Sequence, residues 1–395
     1  MGRICQLNKE HITNTDMNEL TTILPSNVVV SAVFENMRNA NNLTWSDLFP
    51  ISAQQSISAI VWDDIQYAIA QGQIPVEQQP AKALRIQWAL ATEQVERKYA
   101  RQKAVIAKLA QFFAGYGIKM MILKGYGLSL NYPVPNHRPC SDIDIWLFEE
   151  QKTADGTIKR YSVQQKADKL LHEHFNIEID EDKHHHTVFY VDGVMVENHY
   201  DFLNIHAHRS NRVIEARLQA LTQQDMEKIE VDGNAVYLPS PDFHALFMLR
   251  HSASHFAAER IVIRHLLDWR YFVEKYTAKI DWEELHKIAE QMNMHRFLNC
   301  MNAICIDKLG LPSNAVPEFE RDKVLEARVW NEILHPEFAQ EKPKNAGYLK
   351  SWSYMFRRWW ANRWKHRIVY NEGLAKTFLV QVWSHLLKPK TLKVH

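Results

Sequence analysis

Two stretches of this sequence decide its fold, Ile118-Lys-Met-Met-Ile-Leu123 and Ser141-Asp-Ile-Asp-Ile-Trp-Leu-Phe148. The first is a short apolar run that ends at a Lys-Gly pair, which is typical of a buried strand. The second alternates Asp142 and Asp144 with isoleucines, the period of two that characterises a strand with two different faces. We therefore predict two strands, with both aspartates on the same face of the second.

The segments around these strands predict further α and β elements. A short helix is expected at 126–131, followed by a proline-rich loop at 132–139. Two Asp-Gly pairs, at 192–193 and 232–233, each separate two β-prone runs, and this pairing favours a tight hairpin turn. We therefore expect hairpins over 187–200 and 228–238.

Helical patterns occupy most of the remaining sequence. Residues 53–116 predict three or four helices, 161–174 one helix, and 242 to about 310 a helical region in which Asp281 caps a helix. The chain beyond continues as helices, with loops near 311–317 and 341–347. The predicted organisation is an N-terminal helical region (1–100), an α+β core (101–238), a helical domain (239–349) and a basic aromatic C-terminal segment (350–395).

Length and composition limit the class of protein. A chain of 395 residues exceeds the size at which a single core usually stops growing, about 250–300 residues. With 46% hydrophobic and 24% charged residues the chain can bury a core, which excludes wholesale disorder. The four cysteines form no CxxC pair, and no apolar run is long enough to cross a membrane. The N-terminus lacks the apolar region of a signal peptide, so we expect a cytoplasmic protein with reduced thiols.

The net charge of +1 conceals an uneven distribution. Residues 350–395 contain ten Lys or Arg and one acid, whereas residues 1–349 contain 37 basic and 45 acidic residues. This segment either contacts nucleic acid, an acidic partner or an anionic membrane surface, or forms an amphipathic helix whose tryptophans pack while its cations stay solvated. Packing is the favoured interpretation. The tryptophans are Trp352, Trp359, Trp360, Trp364 and Trp383, and the cations are Arg357, Arg358, Arg363, Lys365 and Arg367.

The two aspartates on one strand face suggest a metal site. Carboxylates this close repel each other unless a cation lies between them, and Mg²⁺ prefers such oxygen ligands. Glu197, in the second strand of the first hairpin, is the candidate for a third carboxylate, provided that its strand pairs beside Asp142 and Asp144. Three carboxylates can hold two ions that clamp the attacking and leaving oxygens of a phosphoryl transfer. The alternative is a solvated acidic strand face.

The residues around the aspartates add features of a phosphate site. A glycine turn follows the first strand, and the charges of Lys124 and Arg138 can help to hold a triphosphate on it. His199 shares the strand face of Glu197 and either orients that carboxylate, touches phosphate or makes a structural hydrogen bond.

Other histidines have simpler interpretations. The run at 184–186 is more typical of a solvated turn than of a transition-metal site. His251 and His255 are one helical turn apart, but no general-base glutamate lies between them as in a zinc protease. They either form a polar face toward a nucleotide or acceptor or make hydrogen bonds between helices, which is the favoured interpretation. The residues near them in the sequence that would share such a face are Arg250, Arg264, His265 and Asp268.

These residues together resemble a known family. The stretches Met121-Ile-Leu-Lys-Gly125, Tyr132-Pro133, Arg138 and Asp142-Ile-Asp-Ile145 are similar to the "LKG … YP … R … DID" pattern of an uncharacterised bacterial nucleotidyltransferase family in the DNA polymerase β-like superfamily. Val196-Glu-Asn-His-Tyr200 resembles its "D-x-H-W" strand. The resemblance covers roughly residues 80–310.

The resemblance implies a polymerase β-like core with a small mixed sheet flanked by helices. It implies an Mg-dependent transfer of a nucleoside monophosphate from an NTP to an unidentified acceptor, with two Mg²⁺ expected and Mn²⁺ as the alternative ion. Asp142, Asp144 and Glu197 would be the metal ligands and catalytic carboxylates. The alternatives are a degenerate core that only binds nucleotide, nucleic acid or a partner, and a phosphohydrolase. The candidates for phosphate binding are Lys124, Gly125, Arg138 and Ser141.

Overall fold

A computed structural model describes residues 44–374 and 376, apart from 176, 179–185, 207, 259, 339–347. The expectations for residues 1–43, for His184 and His185, for the loop at 341–347 and for the end of the basic segment, including Trp383, lie outside these described residues. The four-part division of the chain stays a prediction.

The described chain opens with three α-helices, α1 (Trp45–Gln54), α2 (Ser58–Ala70) and α3 (Lys82–Ala114). The first ends at Gln54, so residues 53–116 contain two α-helices and a short 3-10 turn at Val76–Gln78, fewer than the three or four helices predicted there. The first begins at Trp45 because Thr44 caps it, accepting a hydrogen bond from the Asp47 amide. The third is a continuous helix of 33 residues, and its apolar side lies on the sheet that follows.

The centre of the molecule is a seven-stranded mixed sheet. The strands, with the helices between them, are β1 (Lys119–Ile122), α4 (Tyr126–Ser129), β2 (Ile143–Lys152), β3 (Ile158–Ser162), α5 (Gln164–Phe175), β4 (His186–Val191), β5 (Val194–His199), α6 (Arg209–Leu221), β6 (Glu227–Val231) and β7 (Asn234–Leu238). Their order in the sheet is β4-β5-β2-β1-β7-β6, and β3 also pairs with β2. Strand β2 runs antiparallel to β1 and parallel to β5.

Both predicted hairpins are present, and both turns have the predicted chemistry. Asp192 and Gly193 have φ of 51° and 75°, and Asp232 and Gly233 have φ of 48° and 80°. Two successive positive φ values define the type I′ turn that Asp-Gly favours.

One strand was not predicted. The sequence pattern predicts a helix at 161–174, but β3 ends at Ser162 and α5 occupies Gln164–Phe175. The strand is largely exposed at the sheet edge and pairs with the outer half of β2, from Phe148 to Lys152. Because both of its faces are mostly solvated, it carries little hydrophobic pattern from which a strand could be predicted.

The two faces of the sheet pack against different helices, and this decides where the aspartates lie. Ile143 and Ile145 join the apolar cluster that contains α3. Trp146 and Phe148, on the other face, join the cluster that contains the C-terminal helices. Asp144 shares that second face and therefore points toward the helical part of the molecule.

The helical part follows the sheet, and the fold is α+β with helical flanks, as predicted. Its helices are α7 (Pro241–Ala258), α8 (Ile263–Tyr276), α9 (Trp282–Gln291), α10 (His295–Leu309), α11 (Lys323–Leu334) and α12 (Tyr348–Val369). Asp281 caps α9 by accepting from the Glu284 amide at 3.0 Å. None of the helices in the described ranges combines the length and apolar character that a membrane span requires.

Helix α12 packs against the other helices, the favoured of the two interpretations for the C-terminal segment. Trp359 is buried, and Trp364 lies against the core and under the Arg328 guanidinium. Two expectations were wrong. Trp360 was predicted to pack but is 53% exposed, and Lys365 was predicted to be solvated but is fully buried, 2.5 Å from the equally buried Glu332. The carboxylate of Glu332, on helix α11, therefore balances the buried positive charge of Lys365 on α12.

Candidate functional site

The three predicted carboxylates meet at the end of two adjacent strands. In the parallel pairing of β2 with β5, Asp144 lies directly opposite Glu197, and Asp142 immediately precedes β2. One carboxylate oxygen from each of the three residues lies within 4.8 Å of the others. The predicted site required the strand of Glu197 to pair beside Asp142 and Asp144, and this pairing of β5 with β2 is present.

Two cations lie among these carboxylates. The Lys124 ammonium is 3.0 Å from Asp144 Oδ1 and 3.9 Å from Asp142 Oδ2. His199 Nε2 donates to Asp144 Oδ1 at 3.2 Å and lies 3.7 Å from Glu197 Oε2, while its Nδ1 donates to the Asp201 carbonyl at 3.2 Å. Three acids thus share two cations in a largely buried group.

The pKa values reflect this arrangement. Burial alone would raise the pKa values of Asp144 and Glu197, but the charges and hydrogen bonds of Lys124 and His199 hold both below their usual range. Burial would likewise lower the pKa of His199, but its hydrogen bond to Asp144 and its contact with the Glu197 carboxylate raise it to about 9. Asp144 and Glu197 are therefore ionised at neutral pH, as metal ligands must be.

The donor set fits a hard divalent cation. Asp144 is buried, and among the described residues its Oδ2 atom has no hydrogen-bond partner. A buried carboxylate oxygen without a partner costs free energy unless a cation or water satisfies it. Three carboxylates at this spacing provide the oxygen ligands that Mg²⁺ or Mn²⁺ takes.

The predicted Lys-Gly turn borders the carboxylates. Gly125 has φ of 58°, and a Cβ there would lie 3.3 Å from the Asp142 carbonyl oxygen. Glycine thus permits both the turn and the close approach of the chain to Asp142. The helix that follows is one turn long, shorter than predicted. The Ser141 hydroxyl donates to Asp142 Oδ1.

Arg138 lies on the same cleft, but its guanidinium is already paired. It donates to both carboxylate oxygens of Asp268 at 2.7 and 2.8 Å, and Tyr132 donates to Asp268 Oδ1 at 2.6 Å. Arg138 is 2% exposed. The pair anchors the proline-rich loop to α8, and the phosphate-binding role of Arg138 stays a prediction.

Helices α7 and α8 form the opposite wall. A cleft of about 200 Å³ is lined on one side by Lys124, Gly125, Ser141 and Asp142. The residues that face it from α7 and α8 are His251, His255, Arg264 and His265. Of the two interpretations of His251 and His255, a polar face toward the cleft is the one that their position supports. Burial lowers the pKa of His265 to about 3 and that of His251 well below its usual value.

Two contacts of the site were not predicted. Asp268 was expected on the polar face of His251 and His255, but its pairing with Arg138, 130 residues away, has no local signal in the sequence. His186 was treated as part of a turn, but it opens β4, is buried, and places Nε2 3.6 Å from Glu197 Oε1. The Asp-Gly hairpin could have revealed it, because its register pairs His186 with His199.

Comparison with known proteins agrees with this geometry at the level of the family. No curated protein matches the chain. A solved structure of an antigenic nucleotidyltransferase-like protein from Paracoccidioides brasiliensis is similar at 16% identity and a TM-score of 0.31, over 48% of this chain and 85% of that one. Residues 41–309 match the sequence profile of a family described as uncharacterised nucleotidyltransferase. The chain belongs to that nucleotidyltransferase family.

Proposed function

We propose that this protein is an Mg-dependent nucleotidyltransferase that moves a nucleoside monophosphate from an NTP to an acceptor hydroxyl or similar group. The observation that supports it is the carboxylate group of Asp142, Asp144 and Glu197, in which one oxygen from each residue lies within 4.8 Å of the others. Within the described part of the chain, the buried Asp144 Oδ2 has no hydrogen-bond partner. Family membership supports the class of reaction.

Asp142, Asp144 and Glu197 would hold one or two ions. When bound, Mg²⁺ supplies charge neutralisation for the triphosphate and the developing oxyanions. Lys124 supplies a further positive charge at the mouth of the cleft, and the glycine turn lets the phosphates approach the backbone. Ser141, on the same side, can donate to a phosphate oxygen.

Glu197 and His199 have separate roles in the proposed transfer. The acceptor hydroxyl transfers its proton to the third carboxylate, Glu197, as its oxygen forms a bond to the α-phosphorus. The bond from that phosphorus to the bridging oxygen breaks, and pyrophosphate leaves with the bonding electrons. His199 holds the orientation of Asp144 and Glu197 through its contacts with both.

The cleft favours an anionic or polar substrate on the helical side. Arg264 is more exposed than Arg138 and touches Asp268 with one nitrogen at 3.2 Å. We propose that Arg264 contacts phosphate or acceptor directly, whereas Arg138 adds charge and fixes the loop that carries Ser141 and Asp142.

The test is Mg-dependent NTP binding and pyrophosphate release, measured for each of the four NTPs with wild type, Asp142→Asn and Asp144→Asn. Glu149→Gln, on the same strand but outside the cleft, is the matched control. We expect both activities in wild type and in the control. NTP binding without pyrophosphate release from the NTP, whichever acceptor is offered, would identify the degenerate, nucleotide-binding alternative. Turnover that survives both aspartate changes would refute the proposed metal site.

A further inference from the structure

A second group of potential ligands adjoins the three carboxylates. His186 and His199 lie opposite each other in the antiparallel pairing of β4 with β5, and both rings are on the side of Glu197. The ring centroids are 5.0 Å apart. One ligand atom from each of His186, Glu197 and His199 lies within 4.8 Å of the others. Glu197 is therefore common to an all-oxygen group and to a group with two imidazoles.

The distances from the two histidines to Glu197 suit a shared cation better than hydrogen bonds. The one hydrogen bond of His199 Nε2 in this group runs to Asp144 Oδ1 at 3.2 Å, and an ion bound at Nε2 would displace the proton of that bond. His186 Nε2 is 3.6 Å from Glu197 Oε1, and His199 Nε2 is 3.7 Å from Glu197 Oε2. These separations exceed the usual N–H···O range of about 2.7–3.2 Å. Two ligands that bind one ion with bonds of about 2.0–2.1 Å are at most about 4.2 Å apart, and both distances fall below that limit.

The surroundings of His199 match those of a metal-bound histidine. Its Nδ1 donates to the Asp201 carbonyl at 3.2 Å, which directs Nε2 toward the carboxylates. A ligating histidine usually makes this kind of hydrogen bond through its other nitrogen, since it fixes the tautomer and the ring plane. Both histidines are buried, so their rings are held in place by packing.

We infer that His186, His199 and Glu197 form a second cation site that binds a transition ion such as Mn²⁺, Co²⁺ or Zn²⁺ beside the proposed magnesium site. Imidazole nitrogen suits these ions, whereas Mg²⁺ prefers oxygen. Glu197, whose two oxygens each lie nearest one of the histidines, would be a ligand common to both sites. The protein would then use two unlike metals, with the histidines selecting the second.

The inference rests on the proposed function only through Glu197, which both sites share. His186 is outside the proposed magnesium ligands, so its substitution separates the two ideas. The competing explanation is that both histidines serve only as charged partners of Glu197.

The experiment is a titration of metal-free full-length protein with Co²⁺ in a large excess of Mg²⁺, followed by the visible absorption of the bound ion. We expect one Co²⁺ per chain for wild type. We expect His186→Gln to weaken Co²⁺ binding by about tenfold or more, the size of effect seen when metal sites lose a supporting group. His335→Gln, an exposed histidine at the end of α11, is the matched control and should bind as wild type does.

A second measurement guards against misfolding and separates the two proposals. Pulsed electron paramagnetic resonance of bound Mn²⁺ should show coupling to imidazole nitrogen in wild type and weaker coupling in His186→Gln, with the melting temperature checked for each. Equal Co²⁺ affinity in wild type and His186→Gln, or Mn²⁺ without nitrogen coupling, would overturn the inference. Histidine-dependent Co²⁺ binding in a protein that binds no NTP would leave this site standing and refute the nucleotidyltransferase proposal.

Discussion

Two buried groups of charge line the same cleft, and they are built differently. In the Arg138–Asp268 pair, both carboxylate oxygens receive hydrogen bonds, and Tyr132 adds another. In the group of Asp142, Asp144 and Glu197, three acids share two cations, and Asp144 Oδ2 has no partner among the described residues. The first group is closed and serves the fold, whereas the second is open on the side where a ligand can enter.

The two groups should respond most differently when one carboxylate in each is replaced by an uncharged amide. Asp144→Asn keeps an oxygen for Lys124 and His199 but loses a metal ligand. We expect pyrophosphate release to fall about a thousandfold or more, equivalent to about 4 kcal/mol of transition-state stabilisation. Unfolding in urea should show a smaller loss of stability than for Asp268→Asn, because Lys124 and His199 keep Asp142 and Glu197 as charged neighbours. A strongly destabilised but active Asp144→Asn protein would mean that this group is structural.

Asp268→Asn should have the opposite profile. It leaves the Arg138 guanidinium buried with only part of its pairing, and breaking a buried ion pair from one side costs about 3–5 kcal/mol. The free energy of unfolding from urea titration measures this loss. At a temperature where the variant is folded, its affinity for Mg²⁺ should remain near that of wild type. A variant of unchanged stability would contradict the closed, structural role.

Adding Mg²⁺ tests the same difference between the two groups. A cation that binds only the folded state stabilises it by about 2.7 kcal/mol at one hundred times its dissociation constant. We expect Mg²⁺ to raise the melting temperature of wild type and of Asp268→Asn, but not of Asp144→Asn. Equal shifts in all three proteins would place the ion elsewhere.

Two histidines extend the comparison to pH. His199, among carboxylates, has its pKa raised to about 9, whereas burial lowers the pKa of His244 to about 4, against the opposing effect of its hydrogen bond to the Leu123 carbonyl. Below about pH 6.5, the ordinary pKa of histidine, His244 becomes protonated in the unfolded chain. In the folded chain it stays neutral until the pH approaches 4. This contribution to stability is complete above pH 6.5 and is lost as pH falls toward 4.

We therefore expect the unfolding free energy to fall by up to about 1.4 kcal/mol per pH unit through this residue between pH 6.5 and 4. His244→Gln can still donate a hydrogen bond but does not titrate. Urea unfolding at several pH values should give a shallower acid loss for the variant. Parallel curves would mean that His244 is protonated in the folded protein.

Sequence reasoning reached the open group more completely than the closed one. Asp142 and Asp144 are readable because a strand has a period of two, and the Asp-Gly turns set the hairpin in which Glu197 lies. The contact between Asp144 and Glu197 required a parallel pairing that no local pattern encodes. Arg138–Asp268 and Lys365–Glu332 each join distant segments, so nothing near either partner signals the other. The strand β3 escaped prediction because its faces are mostly solvated.

The smallest expected effect concerns the turn beside the open group. Gly125 and Gly193 both have positive φ, 58° and 75°, so alanine at either position should cost about 1 kcal/mol of stability through backbone strain. Only at Gly125 does the added methyl meet a neighbour, the Asp142 carbonyl at 3.3 Å, whereas nothing lies within 4 Å of the methyl at Gly193.

Gly125→Ala should therefore displace Asp142 and weaken Mg²⁺ binding severalfold, while Gly193→Ala changes stability alone. Calorimetric Mg²⁺ titration of both variants, with urea unfolding alongside, measures the two effects separately. Equal Mg²⁺ affinity in the two variants would show that Asp142 does not depend on the glycine turn for its position. Weaker binding in Gly125→Ala alone would mean that the backbone, as well as the carboxylates, keeps the open group ready for its ion.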